Sequence, residues 1–158
     1  MMPIKNRGRL CVQCCLSSFL FDQGVNKTPP QIVCEFPSDC GVGLPEEGVI
    51  DNSNLVAFCE KIHICLRRLP DDYKIQPSDS DGSLLIGLKW TENGKAIRHM
   101  VRFDRFTDKP GEIVIMDPDD SWDYSVRPMS YLDEKTKIFY RMRLLATAEQ
   151  NAPAPTKS

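Results

Sequence analysis

A chain of 158 residues that is 41% hydrophobic has the length of one domain and is too apolar for a disordered chain. Its formal net charge of −2 comes from interspersed charges of both signs, with no basic block of the kind that nucleic acid requires, so no nucleic-acid partner is expected. No apolar run approaches the ~20 residues of a membrane span, so no membrane partner is expected either.

The N-terminus carries no apolar signal-peptide core, which gives the expectation of a cytoplasmic protein or of one secreted without such a leader. The cysteine count is seven, an odd number, so at least one thiol stands outside any intramolecular disulfide. Spread among core-like segments, these cysteines read as buried or unbridged thiols rather than as a small disulfide scaffold.

Residues 1–10 read as a leader strand or arm. From Cys11 to Gln23 the chain reads as a buried helix. Val12, Cys15, Leu16, Phe19 and Leu20 recur at helical spacing as one core-facing stripe, and Gly24 stands where a helix C-cap wants positive φ. The polar run Lys5–Arg9 ahead of it puts Cys11 at the helix N-terminus. There the macrodipole and the unpaired amides favour an anion, so a thiol is easier to ionise. Cys11 is therefore the candidate nucleophile.

Residues 24–48, with Pro29, Pro30, Pro37, Pro45 and four glycines, read as a long irregular connection, with a short helical turn around Gln31–Glu35. A connection this long inside a compact domain usually wraps a site. Asp51-Asn-Ser-Asn54 offers N-caps for a second helix over roughly residues 53–62, whose apolar face is Leu55, Val56, Phe58, Cys59 and Ile62. Ile64–Leu69 is a strand candidate and Pro70–Gly82 a polar loop.

Strands follow. Ser83–Trp90 is a continuous apolar run, the mark of a central strand buried on both faces. Asn93-Gly94 signals a hairpin turn. Arg98–Phe106 alternates, with His99, Val101 and Phe103 on one face and Met100, Arg102 and Asp104 on the other. After a turn at Lys109-Pro-Gly111, Glu112–Met116 forms a strand ending at Asp117-Pro118. Trp122–Val126 is a short strand, Met129–Leu132 a turn or helical piece, and Lys137–Leu145 the last strand. Residues 147–158 read as a disordered Ala/Pro/polar tail. The expected architecture is one α+β domain over residues 1–146, with helices first and an antiparallel sheet after.

The chain has two histidines, His63 and His99. His99 lies near the start of a strand and Asp117 at the end of the next, so an antiparallel connection brings them together. Asp117 could then hold one imidazole nitrogen while the other faces Cys11. That is the cysteine form of a nucleophile–base–carboxylate triad.

With these residues in order, the sequence resembles bacterial papain-like cysteine peptidases, of the branch marked by C-W-A-A-C at the start of the catalytic helix, which includes secreted effector proteases. Cys11-Val-Gln-Cys-Cys15, Leu-Ser-Ser-Phe-Leu20 and Gly24 match that helix in register. Cys34 and Asp39-Cys40 fall where the family often carries cysteine and Asp-Cys elements. His99-Met-Val101 matches its H-x-V strand and Met116-Asp117-Pro118 its M-D-P strand end. The resemblance spans roughly residues 8–145. It implies a papain-like fold, peptide-bond hydrolysis on a protein or peptide substrate through Cys11, His99 and Asp117, and no cofactor. Two departures stand out: Val12, Gln13 and Cys14 replace the family's tryptophan and alanines, and Lys5 stands near where the family has its oxyanion-hole glutamine. Asn6 carries the same amide and is the candidate donor.

Other readings stand beside these. Cys14 and Cys15 read as core, with Cys14 the second choice of nucleophile. His63 reads as a structural residue at a helix end that welcomes positive charge. Asp117 could simply start a turn before Pro118, with Asp119 and Asp120 as the next carboxylates. Cys11-x2-Cys14 and Cys59-x3-His63-x-Cys65 have zinc-like spacings, but lie on apolar helix faces, so no metal is expected. Cys34 could pair with Cys40, or either with Cys15, in an oxidising compartment. Trp122 reads as hydrophobic cover, and Trp90 as cover or as a wall of the substrate groove. Glutamine deamidases and acyltransferases use the same residue order, and a degenerate papain-like binding module is the non-enzymatic alternative.

Overall fold

A computed structural model describes residues 11–35, 52–118 and 124–145. The expected leader arm, Asn6, Asp39-Cys40, Asp119, Asp120, Trp122 and the tail lie outside the described residues.

The first helix, α1 (Cys11–Asp22), ends as its sequence predicts. Gly24 takes φ +83°, its N–H bonds the Phe21 carbonyl and the Val25 N–H reaches back to Leu20 at 2.8 Å. This is a Schellman closure, which satisfies the last carbonyls of the helix. The expected single apolar stripe is corrected: every residue from Val12 to Leu20 is buried, including Gln13, Ser17 and Ser18. The helix is covered all round, so its burial pattern loses the amphipathic period. The short helix α2 (Pro29–Glu35) starts with a reciprocal cap: the Thr28 N–H donates to Gln31 Oε1 and the Gln31 N–H donates to Thr28 Oγ1, with Pro29 in the first position, where no donor is needed. Helix α3 (Asn52–Lys61) buries Leu55, Phe58 and Cys59.

Six strands follow: β1 (Ile64–Arg68), β2 (Leu84–Glu92), β3 (Lys95–Phe106), β4 (Glu112–Met116), β5 (Ser125–Pro128) and β6 (Thr136–Leu144), with a four-residue helix α4 (Ser130–Asp133) before the last. They form one antiparallel sheet in the order β1-β6-β2-β3-β4-β5. The structure is thus the expected α+β arrangement, helices first and antiparallel sheet after. The β2–β3 hairpin turns at Asn93-Gly94 with Glu92 opposite Lys95. The strand expected at Trp122–Val126 is shifted: its described part begins at Ser125 and runs to Pro128. Its pairing with β4 (Ser125 to Ile115, Pro128 to Glu112) sets those limits.

The sheet is buried on both faces, which is why β2 reads as an unbroken apolar run. One face packs Leu85, Met100, Met116, Tyr140 and Met142 against α1 and α3. The other gathers Leu84, Ile86, Val101, Phe103, Ile113 and Ile115 beneath Leu69, Tyr73, Ile75 and Leu132. Strict alternation fails at one place. Between Phe103 and Arg105 the β3–β4 register slips by one residue, a bulge. Phe106 therefore joins Phe103 on the second core, the rings 5.2 Å apart.

Arg102 lies in this apolar sheet with 0% exposure. Its Nη1 donates to Ser18 Oγ at 2.6 Å, and its Nη2 donates to the Gly82 carbonyl at 2.6 Å and pairs with Asp22 Oδ2 at 3.0 Å. Gly82 accepts this contact because it has no side chain: a Cβ there would lie 2.9 Å from Nη2, and φ is +82°. Among the described residues no helix is long and apolar enough to cross a membrane.

Removing one partner from a buried ion pair costs about 3–5 kcal/mol, because the other groups are left unsatisfied. Arg102→Met should therefore lower the urea-unfolding free energy by about that amount. The midpoint should move and the slope should not.

Candidate active site

Helix α1 carries a polar stripe through its buried surface. Cys11, Cys15, Ser18 and Asp22 follow one another at spacings of four, three and four, which puts them on one helix face. That face lies against β3. Asp22 and Ser18 hold Arg102. The Cys15 thiol donates to the Met100 carbonyl at 3.5 Å. Cys11, at the opening of the helix, lies near enough to His99 to act on its charge.

His99 meets Asp117 where β4 ends: Arg102 on β3 pairs with Met116, the last residue of β4, and Asp117 follows it directly. His99 Nε2 and Asp117 Oδ1 lie 2.6 Å apart, and both side chains are buried, at 7% and 4% exposure. Cys11 is only half-buried. The structure therefore brings His99 and Asp117 into contact, with Cys11 at the opening of α1 more exposed than either.

Burial opposes charge on the imidazole, but the Asp117 hydrogen bond and the negative charges of Asp117 and Cys11 outweigh it. They raise the His99 pKa from 6.5 to about 10. At neutral pH His99 is an imidazolium, so its Nε2–H donates to the Asp117 carboxylate. Further along the helix, burial pushes the Cys15 thiol well above its ordinary range, as expected of a core cysteine.

The remaining candidates separate from this cluster. Cys14 is 1% exposed, too enclosed to meet a substrate as nucleophile. His63 is exposed on the turn after α3, with φ +66°. Its N–H bonds the Glu60 carbonyl and its own carbonyl accepts from Leu145, a structural position. Trp90 packs on the second core with Lys135 above its ring, which makes it cover rather than groove wall. Among the described residues no group of three His, Cys, Asp or Glu side chains is placed to hold a metal ion, and Cys11, Cys14, Cys15, Cys59 and Cys65 are all outside disulfides. The oxyanion candidate Asn6 lies outside the described residues.

Sequence reasoning placed Arg102 on a strand face without seeing its role. The available signal was one cation between Val101 and Phe103, where the neighbours say core. A second network also went unread. Asp79, buried at 1%, accepts from the Tyr73 hydroxyl, the Gln76 N–H and Arg141. Burial opposes its charge, but these donors prevail and lower its pKa.

Two solved structures share this fold. One is the peptidase domain of Streptococcus ComA, a bi-functional ABC transporter involved in a quorum-sensing pathway. It is 12% identical, with a TM-score of 0.61 over 89% of this chain and 97% of that one. The other is a double glycine motif protease from an AMS/PCAT transporter, solved in complex with the leader peptide. It is 16% identical, with a TM-score of 0.53 over 90% of this chain and 99% of that one. At these identities the likeness is one of fold alone, and it does not single out the effector branch. No protein-family model matches the sequence, and no curated protein matches it with significance.

A histidine whose folded-state pKa is raised gives stability that is fully present below 6.5 and is lost as pH climbs through about 10. Urea unfolding across that window should show wild-type stability falling by a few kcal/mol, on the order set by the shift. His99→Gln should flatten this part of the curve.

Proposed function

We propose that this protein is a cysteine peptidase that works through Cys11, His99 and Asp117 as a triad. The observation that supports the reading is a buried imidazole bonded to the Asp117 carboxylate, with Cys11 near enough to act on its charge. With Nε2 engaged by Asp117, Nδ1 is the nitrogen left for Cys11. The carboxylate fixes the ring's orientation and stabilises its charged form.

In this reading Cys11 attacks the carbonyl carbon of a peptide bond as the thiolate, forming a tetrahedral oxyanion. His99 gives its proton to the leaving amine, the C–N bond breaks and a thioester remains. Neutral His99 then takes a proton from water, whose oxygen attacks the thioester. Collapse releases the acid and returns the thiolate–imidazolium pair. The Cys11 backbone N–H, one of the helix-opening donors without an intrahelical partner, would hold the oxyanion, with the Asn6 side chain as second donor. The fold would be papain-like, with α1 and α3 as one lobe and the sheet as the other, and no cofactor enters the steps.

The substrate is a protein or peptide in extended form. The fold neighbour solved with its leader peptide makes a leader segment ending in two glycines the first sequence to try. The effector-protease branch is the finer reading of the sequence motifs. Product analysis separates the rivals: new N-termini mark a peptidase, ammonia a glutamine deamidase, and acyl adducts a transferase. An inert Cys11 would leave a binding module.

Iodoacetamide at mildly acidic pH, with fragment-ion mapping, should label Cys11 ahead of the other cysteines, and His99→Ala should slow that labelling. Equal reactivity of all the cysteines would sink the nucleophile assignment. With a cleaved peptide in hand, Cys11→Ala should abolish turnover and His99→Ala should lower kcat/KM by about 100–10,000-fold. Asn6→Ala should lower kcat by about 100–1,000-fold if its amide is the second donor.

A further inference from the structure

The hydrolytic steps leave one feature of the helix opening unused. Cys14 follows Cys11 by three residues, so α1 begins with Cys11-Val-Gln-Cys14. We infer that Cys11 and Cys14 form a reversible disulfide that closes the active site under oxidising conditions and shields the nucleophile from irreversible oxidation.

Helix geometry allows the bond. A rise of ~1.5 Å per residue on a radius of ~2.3 Å sets Cα atoms three residues apart at ~5 Å, inside the ~4.4–6.8 Å that a disulfide spans. The Cβ atoms, ~5–6 Å apart on a regular helix, must close to ~3.5–4.5 Å. That movement falls on Cys11, the first residue of the helix, in the turn whose N–H groups no intrahelical bond restrains. Exposure is graded in the right order: Cys11 is half-buried and Cys14 is 1% exposed, so an oxidant meets Cys11 first. Cys15, the other neighbour within one turn, is occupied elsewhere. It is fully buried and donates to the Met100 carbonyl.

The chemistry balances with hydrogen peroxide as the oxidant. The Cys11 thiolate attacks one peroxide oxygen, the O–O bond breaks, and hydroxide leaves and takes a proton to become water. Cys11 is then a sulfenic acid. The Cys14 sulfur attacks the Cys11 sulfur, the S–O bond breaks and a second water departs. Two thiols have lost two protons and two electrons, and one peroxide has become two waters. A dithiol reverses the bond by exchange. While it stands, Cys11 cannot attack a carbonyl and cannot pass to the sulfinic acid.

The inference rests on Cys11 being the reactive thiol of the proposed peptidase, so the test reads both. The reduced full-length protein is exposed to a small excess of hydrogen peroxide, then alkylated with iodoacetamide before or after dithiothreitol. Intact mass and fragment ions of the peptide spanning residues 10–27 locate the change. Wild type should lose two hydrogens in mass. Cys11 and Cys14 should both stop labelling, and both should recover with dithiothreitol. With the peroxide exposure extended until it over-oxidises an unprotected thiolate, Cys14→Ala should lose Cys11 labelling, gain two or three oxygens in mass as the sulfinic or sulfonic acid, and recover several-fold less. Cys15→Ala should behave as wild type. Full recovery of Cys11 in Cys14→Ala, or a bond mapped to Cys15 or elsewhere, overturns the inference. Rapid Cys11 labelling without any bond overturns it while leaving the peptidase reading intact. An unreactive Cys11 in the reduced protein defeats both.

Discussion

A guanidinium without water around it fixes where α1 lies. Arg102 projects from the middle of β3 into a layer of methionine, leucine and phenylalanine. Burial works against its charge and lowers its pKa, but an arginine stays protonated in a protein. The charge therefore needs partners, and they come from two places: Ser18 and Asp22 on α1, and the Gly82 carbonyl at the entrance to β2. Apolar packing alone would allow the helix to slide with little change in buried area. A directional set of bonds to a fixed strand position does not, since a small shift leaves a buried donor or carboxylate unsatisfied.

That constraint reaches the candidate active site through helix geometry. Ser18 and Asp22 are seven and eleven residues past Cys11 on the same face of a continuous helix. Once they are set against Arg102, and Cys15 against the Met100 carbonyl, the end of the helix is set too. Cys11 then meets the ring of His99, three residues before Arg102 on the same strand. The opening of α1 is thus positioned by a contact at the opposite end of the helix. On the other partner, β4 stops at Met116, and the carboxylate of the next residue, Asp117, lies against His99. His99 and Asp117 lie buried while the Cys11 sulfur is half-exposed.

The second face of the sheet shows the same economy. Asp79 and Arg141 tie the loop between β1 and β2 to β6, with Tyr73 bonded to both. Tyr73 also tilts against Phe139, with ring centroids 5.5 Å apart. A long polar segment is thereby held over the second core, and the sheet carrying His99 and Asp117 is supported from both sides.

By itself the sequence determined the elements and the chemical cast. Apolar periodicity, Gly24, Asn93-Gly94 and Asp117-Pro118 are local signals, each with a local physical cause, so α1, the hairpin and the end of β4 were legible to within a residue or two. The His99–Asp117 contact was legible because one residue opens a strand and the other ends the next. What only the tertiary structure decided is long-range. The bulge at Asp104 depends on pairing with β4, which no local pattern encodes. The burial of α1 on every side depends on what packs around it. Ser18 and Gly82 reach Arg102 from 84 and 20 residues away, and Arg141 reaches Asp79 from 62 residues away. A buried charge announces in sequence only that it will need a counterpart, and the fold chooses which one.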